Sequence, residues 1–439
     1  MNKLMMHTLD IYKRFLECDS LSTDTRSIVP GCMFWGLKGE TFDGGEFCEQ
    51  AIENGARYAV RQAEGISANP QIIHVADSLF ALQELARHHR RSFGIPVMAV
   101  TGTNGKTTTK ELLNAVFAAH YKTHCTKGNL NNHIGVPLTL LAMKQDVDIA
   151  IIEMGANHVG EINQLCTIAE PTCGLITNIG KAHLEGFGSL EGVKRAKSEL
   201  YQYLDSVGGV IFVNMDEAEL VESSMPYRRK IPYQKGVVQP AENFPSWVGL
   251  ESGNGFLEVS FRSTDYGRIN VQTQIVGEYN FNNIMTAIVV GQYFKVPDQQ
   301  IKSSLENFIP ANNRSQIIQR DNYKILLDAY NANPSSMTQA LNNFTKIHAQ
   351  RKIVILGDMF ELGEYSRAEH QSIADLVSAS DFEASVLVGK EFAKTRTDQH
   401  VLKFTEISDL KQWFDNLEKD EATILIKGSR GMKLETLLA

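Results

Sequence analysis

The stretch from residue 97 to 113 constrains the fold more than any other part of the chain. Four apolar residues, Val97-Met98-Ala99-Val100, run into Thr101-Gly102-Thr103-Asn104-Gly105-Lys106-Thr107-Thr108-Thr109, and a helical pattern opens at Lys110-Glu111-Leu112-Leu113. A short apolar run between turn signals is a buried strand, and two glycines let the following turn fold until several N–H groups face one point. The start of the helix adds its positive end, and Lys106 adds a full charge. A turn built from Gly102, Thr103, Asn104, Gly105, Lys106, Thr107 and Thr108 is therefore a seat for a polyphosphate, and a nucleotide is its expected ligand. Thr107 stands where a hydroxyl commonly meets the magnesium that bridges phosphates. Val100 occupies the place of the first glycine in the general GxxxxGK[ST] loop, so this is a shorter form, TGTNGKT. The bland alternative, a glycine turn without a ligand, fits the strand-to-helix context poorly.

The same period continues on both sides. Pro96–Thr101, Asp148–Met154, Gly174–Asn178 and Gly209–Asn214 read as buried parallel strands, which predicts an α/β core. Between Pro226 and Val276 the apolar residues alternate, as in Phe256-Leu257-Glu258-Val259-Ser260-Phe261 and Ile269-Asn270-Val271; these are half-exposed antiparallel strands that extend the central sheet or form an arm beside it. Phe308-Ile309-Pro310-Ala311-Asn312-Asn313 interrupts both periods. Beyond it Ile325–Asp328, Ile353–Gly357, Ser385–Gly389 and Thr423–Lys427 alternate with helical stretches, one carrying Met337, Leu341, Phe344 and Ile347, as in a small doubly wound domain. A chain of 439 residues has room for about three domains at roughly 100–200 residues each, every one closing its own core. The boundaries fall at 1–93, 94–310 and 311–439, and the basic stretch Arg87-His88-His89-Arg90-Arg91 reads as a surface helix end and linker.

A formal charge of −8 leaves no broad positive field, which disfavours a nucleic-acid partner. The amino-terminal residues carry Asp10, Lys13 and Arg14 and lack the apolar core of a secretion signal, and no later run is long enough for a bilayer, so no membrane insertion and a cytoplasmic location are expected. Six cysteines without CxxC spacing suit reduced, mostly buried thiols, and a zinc site is not expected.

Three apolar runs end in a charge: Glu153, Asp328 and Lys427, the last with Arg430 close behind. Open parallel sheets bind ligands beyond the carboxyl ends of their strands, so these charges are candidates, although each alone could simply mark a strand emerging into water. His183 lies past another strand end, in the glycine-rich loop 178–188; a loop histidine is often inert, but neutral imidazole can join a carboxylate in holding a metal. Lys197 shares one helix face with Val193, Leu200 and Leu204. Either its stem packs on the core with the ammonium in water, or it is chemically special. A carbamate on its nitrogen would replace a cation with two oxygens, the ligand type that magnesium prefers.

With these residues in view, the chain resembles the Mur ligase family. The resemblance rests on TGTNGKTTTK at 101–110, on Gly128-Asn129-Leu130-Asn131-Asn132-His133-Ile134-Gly135-Val136-Pro137, and on Glu153-Met154-Gly155-Ala156. It continues through Gly180 to Gly188, Ala196-Lys197, Gly277-Glu278-Tyr279-Asn280 with Asn283, Arg314, and Lys427-Gly428-Ser429-Arg430-Gly431. Asp328-Ala329-Tyr330-Asn331-Ala332-Asn333-Pro334-Ser335-Ser336-Met337 and Leu356-Gly357-Asp358-Met359-Phe360-Glu361-Leu362-Gly363 look like the dipeptide-adding branch; the DYAH and DNPR sequences of the branch that adds a diamino acid are missing. The segments Thr23-Asp24-Thr25-Arg26-Ser27 and 36–44 resemble the uridine-nucleotide domain of both branches, with Thr25 where serine is more usual.

The resemblance implies three α/β domains: a small nucleotide-sugar domain, a central P-loop-type ATPase domain with a mostly parallel sheet, and a Rossmann-like carboxyl-terminal domain. It implies ATP and Mg2+ as cofactors, and ligation of D-alanyl-D-alanine to UDP-N-acetylmuramoyl-tripeptide through an acyl phosphate, in peptidoglycan precursor synthesis, by a monomer. Lys106, Glu153, His183 and Lys197 become the expected catalytic residues, with Thr107, Glu153, His183 and carbamylated Lys197 as metal ligands. Asn283 is expected near adenine, and Arg314 and Asp328 near ribose or phosphates. Thr25, Arg26, Lys38, Asp43, Asn131, Asn132, Asn331, Lys427 and Arg430 are expected at the other substrates. Catalysis is expected to need closure of the central domain on the last. The alternatives are the diamino-acid-adding sibling, a folate-polyglutamylating relative with the same central domain, and a non-catalytic nucleotide-binding homologue. Intact Glu153, His183 and Lys197 argue against the last.

Overall fold

In the computed structural model, which describes residues 3–438 except 64, 66, 67, 237–247, 253, 254, 264, 311 and 312, the strand Val97–Thr101 lies inside a six-stranded parallel sheet. The order across that sheet is Lys230–Tyr233, Val210–Asn214, Cys173–Ile176, Val97–Thr101, Ile149–Glu153, Thr123–Cys125. Its inner strands are buried on both sides because each residue parity meets a different layer. Val97 and Ala99 join the cluster of Val193, Ala196, Leu200 and Leu204 on the helix Leu190–Ser206. Met98 and Val100 join that of Leu112, Leu113, Val116 and Phe117 on the helix Lys106–Ala118, against which Phe281–Tyr293 packs. The helix after the glycine turn starts at Lys106, four residues before its apolar period becomes visible, with Gly105 at φ 77° as its cap. Only a residue without a Cβ takes that conformation freely.

The first segment forms a four-stranded parallel sheet in chain order, Leu21–Ser22, Met33–Gly36, Tyr58–Gln62 and Ile72–Val75. Two expectations about this segment need correction. It does not close a core entirely its own: Ile11, Phe15, Met33, Trp35 and Val60 share one buried cluster with Val97, Val136 and Ile152 of the central layer. The basic stretch is no surface linker either. It ends the helix Ser78–Arg91, which packs on Gly135–Leu141 and Glu161–Ala169, and His89 and Arg90 are buried. Arg90 donates to the carbonyls of Ala169, Phe93, Ile95 and Glu170 at 2.9–3.2 Å. A cation with four of its five N–H donors met by carbonyls can sit inside and brace the chain crossing.

The alternating region supplies both outcomes that its pattern leaves open. Val248–Ser252, Phe256–Ser263 and Gly267–Val276 make a separate antiparallel arm, whereas Lys230–Tyr233 extends the central sheet in parallel. The last unit is a six-stranded sheet ordered Gln316–Arg320, Tyr323–Asp328, Ala422–Lys427, Arg351–Gly357, Ala384–Val388, Val401–Phe404, parallel except for its first strand. The helix Pro334–Lys346 buries Met337, Leu341 and Phe344 against it, and Ile347 caps the end. Of the interrupting segment before it, Ala311 and Asn312 lie outside the described residues. No described helix is long and apolar enough to cross a membrane, and all six cysteines are free thiols, four of them buried.

Candidate active site

The carboxyl ends of the central sheet and of the last sheet face one cavity of about 430 Å³. Thr103 to Thr108 enter it from the glycine turn, Glu153 and His183 from neighbouring strand ends, and Asp328, Asn331 and Lys427 from the last sheet. Asn131, Asn132, Asn283 and Arg314 also line it. Gly102, Lys197, Thr25, Arg26, Lys38, Asp43 and Arg430 do not.

Lys106 folds back on its own turn, donating to the Gly102 and Thr103 carbonyls at 2.7 and 3.0 Å. Burial lowers its pKa to about 8, opposed by Glu153 and reinforced by Arg314. An anion arriving in the turn would exchange those carbonyls for charge. Asn283 is tied behind the turn, accepting from Thr109 at 3.0 Å and donating to Asn280 at 2.9 Å, and its amide fills the space where a Cβ on Gly105 would stand.

Glu153 is buried, and its two oxygens differ. Oε1 accepts from Asn131 Nδ2 at 2.8 Å, while Oε2 has no hydrogen-bond donor and lies 4.0 Å from the buried ammonium of Lys110. A buried carboxylate oxygen without a donor is open to a cation. The Lys197 ammonium does not reach water: the residue is 2% exposed, its Nζ is 3.5 Å from the Ala156 carbonyl and 5.3 Å from the centre of the Phe187 ring. Burial, with Lys106 nearby, holds its pKa well below the usual lysine range. It therefore backs the cavity wall at Ala156 as an amine poorly supported in charged form.

At the last sheet, Lys427 donates to Asp328 at 2.6 Å and to the Asn331 carbonyl at 3.3 Å. Arg314 stacks on Tyr330 at 3.7 Å, whereas Arg430 stands 5.9 Å from that ring and pairs with Glu435. Thr25 and Arg26 lie in a turn capped by Asp24, and Lys38 bridges to Asp43 at 3.7 Å; the two features follow the first and second strands of the first sheet.

Several cavity residues have no role that the sequence assigns. Asn333 caps the helix Pro334–Lys346 and donates to Asn104 of the glycine turn at 2.8 Å; Asn178 accepts from the Asn104 N–H at 3.0 Å. Glu217, its pKa raised by burial and Asp216, accepts from Asn282 at 3.2 Å. Polar residues after strand ends are too common for their type alone to mark them.

Family models agree with this geometry. One described as "Mur ligase family, catalytic domain" matches residues 17–98, "Mur ligase middle domain" matches 100–291, and "Mur ligase, glutamate ligase domain" matches 313–430. A Bacillus subtilis protein named UDP-N-acetylmuramoyl-tripeptide--D-alanyl-D-alanine ligase is 34% identical over 95% of this chain and 92% of its own. The chain belongs to the Mur ligase family. This Mur ligase is also 33% identical to the Escherichia coli protein of the same name, over 96% of the chain and 93% of the relative. Its three-domain fold matches a crystal structure titled MurF from Acinetobacter baumannii with a TM-score of 0.86, at 29% identity, covering 98% and 97% of the two chains.

Proposed function

We propose that this Mur ligase joins D-alanyl-D-alanine to UDP-N-acetylmuramoyl-tripeptide at the expense of ATP. One observation carries the reading: the glycine turn and the Asp328–Lys427 pair, from two different sheets, open into the same cavity. In the first step a carboxylate oxygen of the tripeptide attacks the γ-phosphorus and ADP leaves. In the second, the dipeptide amine attacks the acyl carbon, the carbon–oxygen bond to phosphate breaks, and the nitrogen gives up a proton. A peptide amine with a pKa near the reference of about 7.7–8.0 is partly free base at neutral pH, so no strong base is required. Lys106 and the N–H groups of the turn hold the phosphates. Asp328, Asn331, Lys427 and Arg430 belong to the dipeptide and ribose side, and Arg314 and Asn283 to the nucleotide.

The residues fit magnesium. No described group of three His, Cys, Asp or Glu side chains could hold a metal alone, but Glu153 Oε2 is a buried oxygen without a donor, and Thr107 lines the same cavity. Thr107 and Glu153 would hold one ion, and Glu153, His183 and a carbamylated Lys197 a second. When bound, such ions neutralise the repulsion between carboxylate and phosphates. The domain division at 93 and 310 assigns UDP-precursor binding, through Thr25, Arg26, Lys38 and Asp43, to the first part, with Asn131 and Asn132 reaching from the centre. One chain completes the cavity, which supports a monomer, and unpaired thiols support the cytoplasm. Purified protein given ATP, the UDP-tripeptide and candidate amines separately tests the reading. Phosphate release with D-alanyl-D-alanine is expected, and release with a diamino acid or glutamate instead would replace the reading with that of a sibling.

A further inference from the structure

Arg314 lies at the start of the last unit between two non-glycine residues with left-handed backbones, Asn313 at φ 57° and Ser315 at φ 47°. Such conformations persist only where the surroundings hold them. Ser315 is held from both sides of the junction. Its N–H donates to the Asp328 carboxylate at 3.3 Å, and its Oγ lies 2.7 Å from the Tyr279 hydroxyl and accepts from Asn280 Nδ2 at 3.4 Å. The backbone that carries Arg314 is therefore pinned to the central and the last domain at once.

The side chain is held differently. Arg314 Nε is buried and has no hydrogen-bond partner among the described residues. The guanidinium carbon instead sits 3.7 Å from the centre of the Tyr330 ring, well within the range of a cation resting on an aromatic face. Both side chains line the cavity, and Arg314 is near enough to Lys106 of the glycine turn to oppose its charge. Two cations that converge on one seat repel each other until an anion lies between them, so the arginine stays only where another contact outweighs that repulsion. The Tyr330 ring is such a contact, and a guanidinium lying on a ring keeps its N–H edges free for phosphate oxygens. Tyr330 follows Asp328 by two residues, so the ring that holds Arg314 and the carboxylate that holds Ser315 leave the same strand end.

We propose that Tyr330 is a positioning residue: its ring holds the Arg314 guanidinium at the phosphate seat before a nucleotide arrives, so that Arg314 and Lys106 meet the phosphates together. This rests on the reading of the cavity as a nucleotide site, and not on which amide the protein forms. A charge placed in advance needs no ordering when the ligand binds, and the difference appears as affinity.

The test is a double-mutant cycle, read by calorimetric binding of a non-hydrolysable ATP analogue with magnesium to the full chain. Parent, Tyr330→Leu, Tyr330→Phe, Arg314→Gln and the double variant Tyr330→Leu with Arg314→Gln are compared. Tyr330→Leu is expected to bind on the order of 10-fold more weakly, and Tyr330→Phe, which keeps the ring, to stay close to the parent. In the Arg314→Gln background, Tyr330→Leu is expected to change nothing further, a coupling that a ring serving only to pack the wall would not show. Tyr330 is half-buried, and Tyr330→Gln takes the place of the leucine variant if thermal melts show that one unfolded. A leucine variant with parental affinity, a phenylalanine variant as weak as leucine, or losses that add in the double variant overturns the proposal. A parent that does not bind the analogue removes the nucleotide reading and the proposal with it. A parent that binds it, yet releases no phosphate with D-alanyl-D-alanine, removes the ligase reading alone.

Discussion

Asp328 and Lys427 are register partners at the carboxyl ends of adjacent parallel strands, and the lysine ammonium donates to the carboxylate at 2.6 Å. Lys427 is 2% exposed, so the Asp328 carboxylate and the Asn331 carbonyl take the place of water at its ammonium. Breaking a buried pair by removing one member costs roughly 3–5 kcal/mol, and Asp328, less enclosed, leaves the lower end for Lys427→Met. In urea denaturation, Lys427→Met should lose about 3 kcal/mol, and the double variant with Asp328→Asn should lose less than the sum of the singles. Additive losses would show that the two charges are independent.

Glu153→Gln keeps an oxygen for Asn131 but removes the charge from the buried carboxylate. Phosphate release should fall on the order of 10²–10³-fold, as for the loss of one preorganised electrostatic contact, with little change in unfolding midpoint. A rate within a few-fold of the parent would exclude Glu153 from charge control.

Lys197→Ala should abolish most activity, and acetate or formate should restore part of it by supplying carboxylate oxygens behind Ala156. Circular dichroism guards against a folding defect from the buried stem that is lost. Full activity without added carboxylate would eliminate the carbamate role.

The lowered pKa of Lys106, about 8, has a direct kinetic consequence. The phosphate seat needs the protonated form, which is lost as pH rises through that value, so kcat/KM for ATP should decline above about pH 8. The kcat limb should lie higher, because bound phosphate favours the charged ammonium. Coincident limbs would mean that another group controls both.

What could be read from the chain alone divides along physical lines. The glycine turn was legible because its strand, glycines, lysine and helix are consecutive. Glu153, Asp328 and Lys427 were legible singly because parallel strands emerge at their carboxyl ends. That Asp328 meets Lys427, 99 residues away, depends on strand order in the sheet, which no local period encodes. The burial of Arg90 is hidden for a related reason: two of the four carbonyls it donates to, those of Ala169 and Glu170, belong to a segment some 80 residues distant. Lys197 kept two readings until burial removed water from its nitrogen.

Asn333 joins two roles, which two substitutions separate. Asn333→Ala should lose about 1 kcal/mol as a helix cap. Asn333→Ser keeps a capping oxygen but is too short to reach Asn104, now at 2.8 Å. Both should raise KM for ATP, while only the alanine variant loses stability. A serine variant with parental kinetics would show that the cross-domain bond is idle.

Activation of a carboxylate inside the cavity shared by the glycine turn and the last sheet is the step on which the proposed ligation depends. Tripeptide precursor labelled with oxygen-18 in its terminal carboxylate, turned over with ATP and D-alanyl-D-alanine, measures this by mass spectrometry of the inorganic phosphate. One labelled oxygen per phosphate is the expected result. Ligated product with unlabelled phosphate would contradict the acyl phosphate.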